Sequence, residues 1–277
     1  MAAVLLALAA SASWGVSDFL GGIKARRVSV LTVLAVSQPA GLVLLGVVVA
    51  VRGGWPGWGW WVLWALLGGI VGAVGIGSLY KGLSVGSMGI VAPITSASPL
   101  IPLTVGLARG ERPSAIQLTG IGLALIGVAF AGWEPGVEGA RGGAAVGAGF
   151  ALVAAVTFGS SQVGLEEASN VDPYWATFVL RVASVAVVMT VLLARRTPGP
   201  GRIWPTLAVL GLLDSGATIL FAVATTKGLF SVVSVLASLY PVLVAILARA
   251  FLHERLTLVQ RGGALVAIGG AAAISAG

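Results

Sequence analysis

Cysteine is absent from this chain, which excludes disulfides, thiolate nucleophiles and cysteine metal sites. Histidine occurs once, at His253, and a single imidazole cannot form a histidine cluster. Charge is scarce as well. Asp, Glu, Lys and Arg make up 9% of the 277 residues, where a soluble domain carries about 25%. So few charges cannot cover a soluble globule of this size. No basic stretch precedes the first apolar run, so a cleavable signal peptide is not expected. There is no GxxxxGKS or GxxxxGKT sequence either, and ATP hydrolysis by this chain is not expected. No cofactor and no metal site is expected.

What is present is apolar: 58% of the residues are hydrophobic and the mean hydropathy is +1.04. The chain reads as an all-α integral membrane protein. A span needs about 20 apolar residues, because a helix rises about 1.5 Å per residue across roughly 30 Å of hydrocarbon. Ten runs qualify: Ala2–Ile23, Val28–Val51, Trp60–Tyr80, Val85–Leu107, Ala115–Ala131, Ala144–Leu165, Tyr174–Leu193, Ile203–Thr226, Ser231–Leu252 and Leu258–Ala276. The connections are short and none can hold a soluble domain, so function must lie within the bundle. The net charge of +7 would suggest nucleic acid in a soluble protein. Here the basic residues cluster in loops between apolar runs, which is how a polytopic protein is oriented, and no nucleic-acid partner is expected.

The two halves resemble each other. A shift of 142 places Gly86, Val91, Ser96 and Pro99 on Gly228, Val233, Ser238 and Pro241. A shift of 143 places Glu111-Arg112 on Glu254-Arg255, Gly120 on Gly263 and Gly127 on Gly270. Trp14-Gly15 meets Phe158-Gly159 at 144. The repeats are expected at residues 1–138 and 139–277, five helices each. An odd number of spans makes the second copy enter from the opposite side, giving an inverted-topology repeat. Such repeats build transporters whose halves rock around a central site. The 41 glycines, many three or four apart, let helix backbones approach closely in lipid. Pro39, Pro93, Pro99, Pro102 and Pro241 fall inside spans, where each removes a backbone hydrogen bond and favours a kink.

SWG at 13–15, GLSVGSMGIVAPITSASP at 82–99 with GER at 110–112, and SVVSVLASLYP at 231–241 with HER at 253–255 carry a family likeness. With them the chain resembles the ten-helix EamA-type members of the drug/metabolite transporter superfamily, over nearly its whole length. The resemblance implies a ten-helix fold of two inverted repeats around a central cavity. The first, third and fourth helices of each half would line the cavity, and the fifth would be peripheral. It implies transport of amino acids, other metabolites or cationic drugs without naming the substrate.

Three ionisable side chains lie well inside predicted spans: Asp18, Arg181 and Asp214. Each costs about 2.5–3.5 kcal/mol at the centre of a span on insertion scales, so it should face a cavity or a partner. Asp214 and Arg181 lie near the middle of the eighth and seventh spans. They can pair with each other, or Asp214 can face the cavity and contact substrate or a proton. Asp18 lies about 8 Å inside the end of the first span, at roughly 1.5 Å per residue. It either reaches towards Lys24 and the basic KARR loop at 24–27, or serves as a titratable group at one mouth of the pathway. Trp14 stands one turn before it, on the same helical face. An aromatic ring beside a carboxylate suits an amine through cation–π attraction. Gln38 precedes Pro39, and Gln162 is the repeat counterpart of Asp18. Tyr80, Ser96, Ser238 and Tyr240 lie on helices that the resemblance assigns to the cavity wall. Each of these uncharged residues is either a substrate contact or a helix–helix hydrogen bond. Glu166, Glu167 and Asp172 read as solvated loop acids. His253 reads as interfacial, and Trp55, Trp58, Trp60, Trp61 and Trp64 as an aromatic belt at headgroup depth.

Arg52, Arg109, Arg112 and Lys227 fall on one side of the expected topology, Arg181 within a span, and every other basic residue on the opposite side. The positive-inside rule then places both termini outside the cytoplasm. The expectation is a multi-pass transporter of a bacterial inner membrane or plasma membrane. It would be a monomer or homodimer, exporting small polar metabolites such as amino acids or amines by alternating access. Its partners would be membrane lipids, the small-molecule substrate and protons. Proton-coupled efflux of cationic drugs is the second reading. A non-transporting scaffold or sensor would instead have a sealed centre. An intramembrane enzyme is disfavoured, because Asp18 and Asp214 lie at different depths and Lys81 and Lys227 at helix ends.

Overall fold

The computed structural model describes residues 1–25, 28–85, 91, 94–133, 144–195, 203–252 and 257–277, and among them the backbone forms helices and turns without a strand. In the first half, α1 spans Ala2–Ala25, α2 Val30–Arg52, α3 Trp60–Val85, α4 Leu100–Ala108 and α5 Ala115–Ala131. In the second half, α6 spans Ala144–Ser169, α7 Pro173–Arg195, α8 Trp204–Thr225, α9 Phe230–Ala237, α10 Tyr240–Leu252 and α11 Leu258–Ala276. Among the described residues, eight helices are long and apolar enough to cross a membrane, α9 and α10 counting together as one. α5, at 17 residues, is shorter. Helix is what such sequence must form in hydrocarbon, where every backbone N–H and C=O has to be satisfied within its own segment.

The sequence marks the helix starts. Ser29 caps α2, its side chain accepting from the Thr32 N–H at 3.1 Å. Ser114 and Gln117 form a reciprocal capping box at α5, and Thr257 and Gln260 form the same box at α11, 143 positions later. Gly110 takes φ +90° in the turn between α4 and α5, a conformation that a β-carbon would strain.

The fourth and ninth spans, in which Pro99 and Pro241 favour a kink, are both broken. Ile94–Ala97 and Ala97–Leu100 are tight turns closed by bonds between residues three apart, and Leu236–Leu239 and Leu239–Val242 repeat them 142 positions on. Proline explains the break. Pro99 and Pro241 lack the N–H that a continuing helix needs.

Helices related by the repeat run antiparallel. Midway along α2 and α7, Gln38 meets Arg181, while Arg52 at the end of α2 meets Asp172 and Tyr174 at the start of α7. α5 crosses α11 in the same way. A Cβ on Gly120 would lie 2.7 Å from the Gly270 carbonyl oxygen, and one on Gly277 would lie 2.6 Å from Ser114 Oγ. Only residues without side chains allow this approach, which makes α5 and α11 a pair built on glycine. The remaining contacts between halves are reciprocal. α1 packs on α8 and α3 on α6, which exchange under the repeat.

One end of the bundle, the Met1 face, carries Arg52, Arg109, Glu111, Asp172 and Lys227; the other, the Lys24 face, carries Lys24, Arg195, Arg249 and Arg261. Packing is uneven between them. The main buried cluster gathers Ala3, Ala7, Trp61, Ala65, Leu165, Ala168, Ala176, Phe221 and Phe230 towards the Met1 face, and continues along the α5–α11 pair through Val128, Ala131 and Ala264. Around the cavity's Lys24 end, Val33, Leu207 and Leu210 form a separate, small buried cluster. The KARR arginines, much of the 82–99 run, Arg141, Arg196, Arg202, His253, Glu254, Arg255 and the expected 138/139 boundary lie outside the described residues.

Acids expected to be solvated instead tie the halves together at the Met1 face. Arg109, after α4, pairs with Glu166 at 2.7 Å and with Glu167, both in the last turn of α6. Asp172 accepts from the N–H groups of Tyr174 and Trp175 at 2.8 and 3.0 Å, capping α7, and pairs with Arg52 at 3.5 Å. Glu111 accepts from the N–H groups of Phe230 and Ser231 at 2.5 and 2.9 Å, capping α9 across the repeat boundary. Carboxylates at helix starts satisfy orphan N–H groups and complement the helix dipole. Within the expected tryptophan belt, Trp58 and Trp60 are exposed. Trp61 is buried and donates to the Gly57 carbonyl at 3.0 Å.

Candidate functional site

The helices enclose a cavity of about 290 Å3 that reaches from mid-depth towards the Lys24 face. That volume lies near the lower edge of small-molecule sites, which run from about 300 to 1,000 Å3. α1 contributes Trp14, Ser17, Asp18 and Gly21, and α3 contributes Gly68, Gly72, Ile76 and Leu79. The two breaks contribute Ser98, Ser238 and the first residue of α10, Tyr240. α6 adds Phe158, Ser161 and Gln162, and α8 adds Leu210, Asp214, Thr218 and Phe221. α2 and α7, which the resemblance did not assign to the wall, supply Val33, Ser37, Gln38, Leu180, Arg181 and Ser184.

Of the candidates drawn from the sequence, Trp14, Asp18, Gln38, Gln162, Arg181, Asp214, Ser238 and Tyr240 all stand on this wall. Ser96 lies in the turn of the first break and is not on the wall. The side chain of Tyr80 lies outside the described residues.

Arg181 is the centre of the polar network. Its guanidinium donates to Gln38 Oε1 at 2.8 Å and to Asp214 Oδ2 at 2.6 Å, with Thr218 Oγ1 at 3.5 Å. Ser184 donates to the same Gln38 oxygen at 3.3 Å. The side chain of Arg181 is 6% exposed and that of Asp214 32%, so the arginine is enclosed while the acid keeps an edge on the cavity. The two roles weighed for Asp214, partner of Arg181 and cavity residue, are therefore combined. Gln38 and Arg181 are repeat counterparts in direct contact, which places the pseudo-twofold axis between them.

The KARR arginines lie outside the described residues, and Asp18 does not pair with Lys24. Among the described residues its carboxylate has no hydrogen-bond or ion-pair partner, and it is exposed on the cavity wall. Asp18 and Asp214 line one cavity, with Asp18 about one helical turn nearer the Lys24 face, since Ser17 meets Leu210 and Ser13 meets Leu213. The wall is positioned by backbone contacts between helices. Ser17 donates to the Leu210 carbonyl at 3.2 Å, Ser13 to Leu213 at 2.9 Å and Ser161 to Gly68 at 2.7 Å. Trp14 stacks on Phe221 with ring centres 5.7 Å apart.

Reading the sequence for charge missed Ser17, Ser161, Ser184, Thr218 and Phe221. The usable signal was helical spacing: Thr218 lies four residues after Asp214 and Ser184 three after Arg181, the distances at which helix side chains are neighbours.

Residues 1–133 and 145–276 each match the family described as EamA-like transporter family. The chain belongs to that family, whose members are transporters, and it is a multi-pass membrane protein. A crystal structure described only as that of a protein superposes with a TM-score of 0.81 at 19% identity, covering 98% of this chain and 95% of its own. That likeness concerns the fold. No curated protein matches this sequence.

Proposed function

We propose that the chain is a secondary active or facilitative transporter of small polar metabolites such as amino acids or amines, working by alternating access. It has ten spans in two inverted five-helix repeats, divided near residues 138 and 139. The supporting observation is the asymmetry of the bundle around its cavity. The cavity extends towards the Lys24 face, while the Met1 face is closed by the main buried cluster and by the ion pairs that join the repeats. Antiparallel packing of repeat-related helices gives the molecule a second conformation by symmetry, in which the two faces exchange roles.

By the positive-inside rule the Lys24 face is cytoplasmic and both termini lie outside. The conformation is then the one that loads from the cytoplasm, as the first step of export from a bacterial inner or plasma membrane requires. Asp18, without a partner among the described residues, is the group to exchange a proton or a cationic substrate, with Trp14, Gln162, Ser238 and Tyr240 around it. The same free acid favours cationic-drug efflux as the second reading. A scaffold or sensor does not need a hollow centre.

Flux of a panel of amino acids and amines through purified protein in vesicles, with and without a proton gradient, tests this. Protein-dependent movement of at least one compound, lost in the Asp18→Asn variant, is expected. No movement of any compound, or full transport by that variant, refutes the proposal.

A further inference from the structure

We infer that this cavity selects a substrate with net charge +1, a primary or secondary amine without a carboxylate, whose ammonium is held by Asp18 beside Trp14. The inference rests on the transporter reading and narrows its substrate class.

The argument is a charge inventory of the wall. Among the described residues, Asp18, Arg181 and Asp214 are the charged ones that line the cavity. Arg181 and Asp214 cancel through a 2.6 Å bond, leaving one negative charge, that of Asp18. A carboxylate that faces a cavity at membrane depth, without a counter-charge among the described residues, is a costly state that a bound cation relieves.

Arg181 is unavailable to a substrate carboxylate. Its NH1 serves Gln38, its NH2 serves Asp214 and Thr218, and its Nε is sealed from solvent with no partner. A zwitterion would have to break the buried pair to gain a cationic partner, and its carboxylate would otherwise face Asp18 and Asp214. Four of the wall hydroxyls do not offset this, because Ser17, Ser161, Thr218 and Ser238 already donate to backbone carbonyls and offer lone pairs to the cavity. Trp14, fixed against Phe221 and one turn from Asp18, adds a π-face that attracts an ammonium and not a carboxylate.

Two ligand series with constant scaffold and varying charge test the inference by equilibrium binding to the full-length protein in nanodiscs, read by calorimetry. They are 2-phenylethylamine, phenylalanine and 3-phenylpropionate, and butylamine, norvaline and valerate. In at least one series the amine should bind more tightly than the zwitterion and the anion by about 10-fold or more, as loss of a charge-assisted hydrogen bond implies. Asp18→Asn should remove that preference, and Asp18→Glu, which keeps the charge, should retain it; a fold check by size exclusion accompanies each. Tighter binding of a zwitterion or anion overturns the inference and leaves the transporter proposal standing. Amine binding that is unchanged in Asp18→Asn, or no amine binding at millimolar concentration, also overturns it.

Discussion

Removing the ion pairs that tie the two repeats at the Met1 face should shift the protein towards opening there. Arg52→Ala together with Arg109→Ala breaks three contacts: Arg109 with Glu166 and Glu167, and Arg52 with Asp172. The arginine side chains are 39% and 46% exposed, so solvent screens each pair to about 0.2–1 kcal/mol. Arg52 also stacks on Tyr174, 3.8 Å from the ring centre, which adds about 0.5–1 kcal/mol. The sum is on the order of 1–4 kcal/mol, a factor of about 5 to several hundred in the population open at that face. The absence of cysteine makes this measurable. Ala168→Cys places the only thiol of the chain at a fully buried site in the Met1 half of α6. Its rate of reaction with an impermeant maleimide added from the Met1 side should rise by that factor. A thiol at the exposed neighbour Asn170 should react at an unchanged rate. Equal rates at position 168 with and without the arginines would refute the idea that these pairs hold the face shut.

Other outcomes follow from the same geometry. Arg181→Ala leaves Asp214 and Gln38 without their partner and should lower stability by about 3 kcal/mol, the low end for a broken buried pair because Asp214 is part-open, measured by thermal unfolding in detergent. Gly270→Leu puts a Cβ 2.5 Å from the Ala124 nitrogen and should cost about 1–3 kcal/mol, while Gly269→Leu, which meets nothing within 4 Å, should leave the melting temperature unchanged. A reporter fused after Gly277 should be active only outside the cytoplasm, and a cytoplasmic signal would reverse the assignment of the two faces.

Much of the fold was legible in the sequence because apolar length and capping residues are local signals. Ala115–Ala131 and Leu258–Ala276 begin and end where hydropathy placed them, each after a Ser or Thr cap. The third and sixth spans run further than hydropathy indicated, to Val85 and Ser169, because helix continues through polar residues such as Lys81 and Glu166 once they reach the membrane surface. The breaks before α4 and α10 were visible only as prolines, and proline alone does not distinguish a kink from two turns. At the site, in-span charge pointed to Asp18, Arg181 and Asp214, and all three line the cavity. Their partners were not legible. Arg181 reaches Gln38 across the repeat interface, and Asp18 has no partner among the described residues; both are products of tertiary structure. The acids at the Met1 face were misjudged for that reason, since Glu166 and Arg109 lie 57 residues apart.

Spin labels on a reconstituted bilayer sample test most directly whether the two faces open in alternation. One pair, at Arg112 and Asn170, spans the repeats at the Met1 face, and a second, at Lys24 and Arg195, spans them at the Lys24 face. The account predicts two distance populations for each pair, shifted in opposite directions when the Arg52 and Arg109 ties are removed, with the Met1 face lengthening as the Lys24 face shortens. Distances that stay fixed at both faces, or that lengthen and shorten together, would contradict it.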